Sequence, residues 1–253
     1  MTIRQLYSAT PAMITADDSP RALLSVAEPV TALGVAGVMG WTTTAANGSF
    51  GLGSDETVAA VTERWSQLQD ELDTVGVVRL ASAHQVHGNA VTVHGTGWTG
   101  WLRQRGIDGH ITTVRGTALA VTVADCTPVF SAHEMGIALL HAGWRGAALG
   151  ILKQGLEAML RLGMDAADCS VHLGPSICAP CYEVGPEVLR AVTGLPATQK
   201  GHLDVRAALA EQAYALGVRS IESSRWCTRC GGRRFFSHRG GDAGRQLGVM
   251  ALL

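Results

Sequence analysis

The chain has 253 residues, with 20 Lys and Arg against 21 Asp and Glu, for a formal net charge of −1. That balance leaves no basic excess to neutralise the phosphates of a nucleic acid or to hold an anionic membrane surface. Hydrophobic residues make up 47% and charged residues 16%, which is core material rather than a disordered composition, and 31 glycines point to tight turns and close backbone contacts.

The opening MTIRQLYSAT has no apolar signal core, and six cysteines are too dilute for a disulfide scaffold, so a cytoplasmic protein is expected. The chain reads as one domain over 1–253. Residues 1–30 read as irregular with an edge hairpin, and residues 1–34 as peripheral. Residues 29–54 carry no charge, but the apolar part over 30–41 is broken by Gly34, Gly37 and Gly40. It falls short of the roughly 20 residues a bilayer helix needs, so buried strands are expected. Ser54 looks like a helix cap, with Val58, Val61, Trp65, Leu68 and Leu72 forming an apolar stripe that stops at Gly76. Strands are predicted over 77–83, 90–94, 117–124, 127–132 and 136–141. A second helix is predicted over 145–162, with Leu149, Leu152, Leu156, Met159 and Leu160 on one face and Gly163 as its stop. Beyond it come a strand over 170–173, a helix opened by Pro186 and reaching 192, and a helix capped by Asp204 that ends at Gly217. Strands over 218–222, 234–237 and 247–252 close the chain. There is no regular βαβ rhythm, no GxGxxG and no GxxxxGK, so the fold class is α/β, a mixed-sheet sandwich rather than a Rossmann fold.

The chemistry concentrates in TVADCTPVFSAHEMGIALLHAGWRG, residues 122–146. Two apolar strands flank His133-Glu134-Met135-Gly136. In a hairpin about that turn, Cys126 and His141 stand nearly opposite one another, within about 5–6 Å. A thiol beside an imidazole is a pair of metal ligands or a nucleophile with its base. Small residues follow His141, and Arg145 then opens the predicted helix, a favourable setting for an anion. A third ligand is sought in His84-Gln85-Val86-His87-Gly88-Asn89. His87, beside the glycine, is the candidate, although spacing alone does not choose it over His84. Two histidines, one cysteine and an open position make a catalytic zinc stoichiometry. Asp108 and Asp125 are both placed to orient a ligand imidazole or to cap a turn.

HQVHGN, IDGHITT, TVADCTPV, HAGWRG, GPSICAPCYEVG and CTRC…FFSHR…GR occur in the order and spacing of one family. The chain resembles the YfiH-type proteins, long labelled multicopper polyphenol oxidases or laccase-domain proteins, strongly over 77–253 and weakly over 35–76. The resemblance implies an α/β/β/α sandwich and one zinc per chain on His87, Cys126 and His141. It implies zinc-dependent phosphorolysis of adenosine, inosine and methylthioadenosine, with adenosine deaminase activity. The partners would then be a nucleoside and phosphate, with no nucleic acid and no membrane, and the protein a monomer or weak homodimer. Zinc would activate water for attack at the purine C6, and Arg145 would hold phosphate for the other reaction. Cys126, His141, Arg145 and Asp125 are the catalytic candidates; Arg145, Arg239 and Arg245 are the anion-binding ones. Tyr182-Glu183-Val184-Gly185 and Phe235-Phe236-Ser237-His238-Arg239 look like pocket walls.

Rival readings are an amidase editing a UDP-muramoyl precursor, with Cys126 as nucleophile and His141 as base, and a non-catalytic metal-binding or nucleotide-binding protein. Nine histidines and no HxH pair do not suit a multicopper oxidase, so copper is not expected. The chain departs from the family pattern at Thr44, where an Arg belongs, and at Gly51, where an Asn belongs. Both changes weaken anion and sugar binding. Cys178-Ala-Pro-Cys181 and Cys227-Thr-Arg-Cys230 are two CxxC pairs separated by 45 residues. On spacing alone they suit a structural zinc, with a disulfide as the other reading, whereas the resemblance carries no second metal.

Overall fold

The computed structural model describes residues 26–31 and 33–253. Alternation along the strands builds the architecture. In β7 (Thr117–Val123), Leu119, Val121 and Val123 face a central core while Ala118 and Ala120 face an outer one. In β9 (Gly136–Ala142), Ile137 and Leu139 join the central core, and Ala138, Leu140 and Ala142 face a third. Each strand therefore buries both faces, which requires two stacked sheets with helices outside.

The first sheet has the order β1 (Glu28–Pro29), β2 (Val38–Thr42), β14 (Gln246–Leu252), β7, β3 (Arg79–His84), β5 (Gly100–Arg105). The second runs β13 (Ser220–Ser223), β10 (Ser170–Leu173), β8 (Thr127–His133), β9, β6 (Gly109–Thr112), β4 (Val91–His94). Both mix parallel and antiparallel pairs. Helix α1 (Val58–Asp73) covers the outer face of the first sheet through Val61, Trp65, Leu68 and Leu72. The other outer face lies under α3 (Ile151–Arg161) and α5 (Val205–Ala215), with α4 (Pro186–Thr193) adding Val188 and Val192 to the same core. The layer order is the expected α/β/β/α.

Several elements differ from the sequence expectation. Helix α1 is capped by Thr57, whose hydroxyl accepts the Ala60 amide at 3.2 Å, and not by Ser54. Glu56, just before it, turns back to accept the Ser49 amide and to pair with Arg64, so the helix cannot start earlier. The helix expected over 145–162 is two, α2 (Trp144–Ala148) and α3, broken at Gly150 with φ of 75°. Glycine takes that left-handed conformation without steric cost. Leu149, at the break, is 57% exposed, and Leu160, one residue round α3 from the buried Met159, is 58% exposed, although both were expected on the buried face. No strand forms over 234–237. The Phe236 amide instead donates to the Gln246 side chain, which donates back to the Phe236 carbonyl, so an amide side chain stands in for a neighbouring strand. Strands β5 and β6 were not foreseen; the polar residues of β5 sit at a sheet edge, paired to β3 alone. Of the segment read as peripheral, residues 1–25 lie outside the described residues, and Val30 and Leu33 are buried in the central core. The pairing of β1 with β2 is the part of the expected edge hairpin that falls within the described residues.

Candidate metal centre

The C-terminal ends of β3, β7 and β9 open on one end of the central layer, and each leads to one residue of a three-residue cluster. The β8–β9 hairpin forms, but its register is centred one residue later than expected: Thr127 faces Ala142 and Pro128 faces His141. Cys126 thus lies beside Gly143, where an added Cβ would come 2.7 Å from its sulfur. Moving the centre by one residue changes each partner by two, which preserves the face of the sheet. Cys126 and His141 remain on one side as diagonal neighbours. His87 arrives from the turn after β3, and the donor atoms of His87, Cys126 and His141 all lie within 4.8 Å of one another. His84 lines the same cleft but stands outside the cluster.

Asp108 organises this centre. It is fully buried just before β6, and its carboxylate accepts the amides of Val86, His87 and Gly88 at 3.2, 2.9 and 2.9 Å. That grip holds His87 at φ of 61°, a left-handed conformation that a non-glycine residue keeps only when its surroundings enforce it. The same carboxylate lies 2.8 Å from His141 Nδ1, which turns the other ring nitrogen to the cluster. Asp125 does something else. Its carboxylate accepts the Thr228 hydroxyl and the Arg239 amide, each at 2.6 Å, and so ties two C-terminal loops to the Cys126 turn.

The charges interlock. Burial opposes ionisation of Asp108, yet hydrogen bonds from His141 and from the amides of Gly88 and Val86 hold its carboxyl at about 2. Burial would raise the Cys126 thiol, but the His141 charge and hydrogen bonds from His141 and His87 bring it down to about 6. Burial likewise opposes charge on His141, while Cys126 and Asp108 lift its imidazole to about 9. In metal-stripped protein the pair is therefore thiolate and imidazolium between pH about 6 and 9. The depressed thiol adds stability that is lost as pH falls through about 6. The raised imidazole adds stability that is lost as pH rises through about 9. Iodoacetamide should accordingly alkylate Cys126 at a near-constant rate down to pH about 6, followed by peptide mass spectrometry. A rate that falls away near pH 9, as for an ordinary thiol, would show that the histidines do not govern it.

The cleft over the cluster has a volume of about 820 Å³. Arg145, Arg239 and Arg245 all line it. Arg145 lays its guanidinium 4.5 Å from the centre of the Trp144 ring. Helix α2 is only five residues long, so it offers little dipole for an anion, and positive charge in the cleft rests on guanidinium groups. Arg239 donates to the Glu183 carbonyl at 2.8 Å and stacks over Tyr182. Arg245 folds onto the carbonyls of Asp242, Ala243 and Gly244. Of the expected walls, Tyr182, His238 and Arg239 line the cleft. Thr44 is buried, and its amide donates to the Asn47 side chain. Gly51 lines the cleft, and a Cβ there would come 2.7 Å from Arg245 Cγ.

Two residues of the cleft escaped the sequence reading. Arg103 reaches it from the unforeseen β5. Gln85 clamps β3 to β7 by accepting the Thr122 amide at 2.8 Å and donating to the Thr122 carbonyl at 2.9 Å. Its place inside HQVHGN was the one available signal. The two CxxC pairs, whose role the sequence left open, also converge: their four sulfurs lie within 4.8 Å of one another.

Fold and donor cluster together define a four-layer sandwich with a candidate metal centre between the ends of its two sheets. Residues 36–253 match the model of the multi-copper polyphenol oxidoreductase laccase family, and the chain belongs to that family. It is 35% identical over 178 residues to a purine nucleoside phosphorylase of Streptomyces griseus, covering 67% of this chain and 72% of that protein. It is 38% identical over 149 residues to an adenosine deaminase from an unknown prokaryotic organism, covering 53% of this chain and 57% of that protein. Among solved structures, YlmD from Geobacillus stearothermophilus superposes with a TM-score of 0.80 at 27% identity, covering 88% of this chain and 94% of that one. No helix among the described residues is long and apolar enough to cross a membrane.

Proposed function

We propose that this protein is a zinc-dependent purine nucleoside phosphorylase with adenosine deaminase activity, acting on adenosine, inosine and methylthioadenosine in the cytoplasm. The observation that carries the reading is the meeting of His87, Cys126 and His141 in a cleft lined by arginines, in a chain similar to a phosphorylase and to a deaminase. The donor set suits zinc: one thiolate and two imidazoles, one of them oriented by a buried carboxylate. Bound there, zinc would supply a Lewis acid beside the reacting purine or sugar.

The chain's own residues supply the rest. Asp108 fixes the His141 ring, and Tyr182, Ile177 and Val205 give the cleft apolar surface for a base. Arg145 carries the planar guanidinium that grips an oxyanion in bidentate fashion, with Arg103, Arg239 and Arg245 adding positive charge along the cleft. Asp125 takes part by positioning the loop of Arg239. Thr44 and Gly51 leave phosphate more dependent on Arg145. Arg145→Ala should therefore depress phosphorolysis by about 10-fold or more, the worth of one charged hydrogen bond, and spare deamination, which uses no phosphate. The test is the paired production of free base and inosine from adenosine across a phosphate titration. Equal loss of both, or no product from either reaction in the wild-type protein, would overturn the assignment.

A second reading draws on one specific feature. Without metal, Cys126, His141 and Asp108 line up as nucleophile, base and orienting carboxylate, which suits an amidase on a UDP-muramoyl precursor. Activity that survives exhaustive chelation would favour it.

A further inference from the structure

Cys178, Cys181, Cys227 and Cys230 come from two segments far apart in the chain, yet their sulfurs all lie within 4.8 Å of one another. Four sulfurs around a zinc ion, each about 2.3 Å from it, stand about 3.8 Å apart at the corners of a tetrahedron. Cys178 Sγ and Cys230 Sγ are 3.8 Å apart, a tetrahedral edge and far longer than the roughly 2.0 Å of a disulfide.

The backbone around the sulfurs is shaped for the same purpose. The amides of Cys178 and Cys230 donate to Cys227 Sγ at 3.3 and 3.4 Å, the support a thiolate ligand receives from its surroundings. Cys230 folds back over Cys227 because glycines follow it. A Cβ at Gly231 would come 2.3 Å from the Cys227 carbonyl oxygen, and Gly232 has φ of 73°. The other pair sits on the short 3-10 turn Ala179–Cys181, with Pro180 stiffening the link between its two sulfurs. Arg229 donates to the Cys181 carbonyl at 3.0 Å, bringing a positive charge beside the sulfur cluster.

We propose that these four cysteines hold one structural zinc ion, separate from the centre at His87, Cys126 and His141, which clamps the two C-terminal loops that wall the cleft. The clamp has evident consequences for the cleft. Ile177 and Tyr182 flank the first pair, and Thr228, inside the second, donates to Asp125 beside Cys126. Apart from the metal, the loops are joined by a bridge between Ser176 and Cys227, the Thr228 amide on the Ser176 carbonyl, the Cys178 amide on Cys227 Sγ and Arg229 on the Cys181 carbonyl. A tetrathiolate ion adds four strong bonds to that seam.

The full-length protein, purified under reducing conditions, should carry two zinc ions per chain. His87→Ala should keep one, and a Cys178→Ser, Cys230→Ser variant should lose one while keeping the other. Cobalt substitution gives an independent reading: intense sulfur-to-cobalt absorption of a tetrathiolate site should persist in Cys126→Ala and vanish in the double-serine variant. Should that variant fail to fold, alkylation of the native wild-type protein decides. The four cysteines should resist iodoacetamide until a strong chelator strips the ion, with alkylation following zinc release in step. Rapid labelling of all four in native protein, a His87→Ala variant free of zinc, or recovery of a Cys178–Cys230 disulfide by peptide mapping would each overturn the proposal.

Discussion

Cys126→Ala is expected to empty the His87, Cys126 and His141 centre of its zinc and to abolish both phosphorolysis and deamination. Cys126 is the one anionic donor in the cluster, and its removal leaves two imidazoles, which bind a divalent ion far more weakly as a pair. The loss should be close to one equivalent relative to wild type, so an ion held by the four-cysteine cluster does not mask it. His87→Ala should behave the same way, and His84→Ala should keep its metal, because His84 lies in the cleft but outside the donor cluster. Zinc content after gel filtration is the measurement. Unchanged zinc in Cys126→Ala, or zinc lost from His84→Ala instead, would sink the ligand assignment.

Asp108→Ala should produce the largest loss of stability of any substitution near the cleft. The side chain is fully buried and accepts three backbone amides besides bonding His141 Nδ1. Its removal strips the buried His141 ring and the three part-buried amides of their shared partner and frees the His87 turn from the grip that holds it left-handed. Breaking such a buried charged network costs about 3–5 kcal/mol, which for a chain of this size lowers Tm by about 6–20 °C. Asp108→Asn keeps the shape but turns an NH2 toward one of the donors, so it should fall between the two. Its metal affinity should drop about 10–100-fold, as for other groups that orient a ligand imidazole. Calorimetry of metal-free protein separates the fold effect from the metal effect. A Tm within a degree or two of wild type for Asp108→Ala would show that the amides find other partners.

The two substitutions differ in how visible their targets were. Cys126 stands out in the sequence because apolar strands on either side of a turn force a hairpin, and side-chain direction repeats every two residues. A thiol and an imidazole at matching parity then share a face even when the register is misjudged by one centre. The stripe of α1 was legible for the same reason, and β7 and β9 were legible as short apolar, β-rich runs bounded by turns. Periodicity is a local property of the chain, and it settles which face of an element is apolar without reference to its neighbours.

What lies across the fold was another matter. Nothing local separates Asp108 from Asp125; the antiparallel pairing of β6 with β9 sets Asp108 opposite His141, whereas the C-terminal loops bring Thr228 and Arg239 to Asp125. Arg103 was missed because an edge strand with one paired neighbour carries polar residues and shows little apolar pattern. The break at Gly150 was missed because a single glycine inside a helical stripe costs only about 1 kcal/mol, so packing of α3 on the second sheet, and not propensity, decides whether the helix continues. The residue types that make up the two sulfur-bearing clusters, and the mixed-sheet α/β class, were determined by the sequence alone, and the α/β/β/α layering followed from the family resemblance. That His87 and not His84 joins Cys126 and His141, and that Cys178 and Cys181 meet Cys227 and Cys230 at all, only the tertiary structure decided, because those distances depend on long-range contacts that no short window of residues encodes.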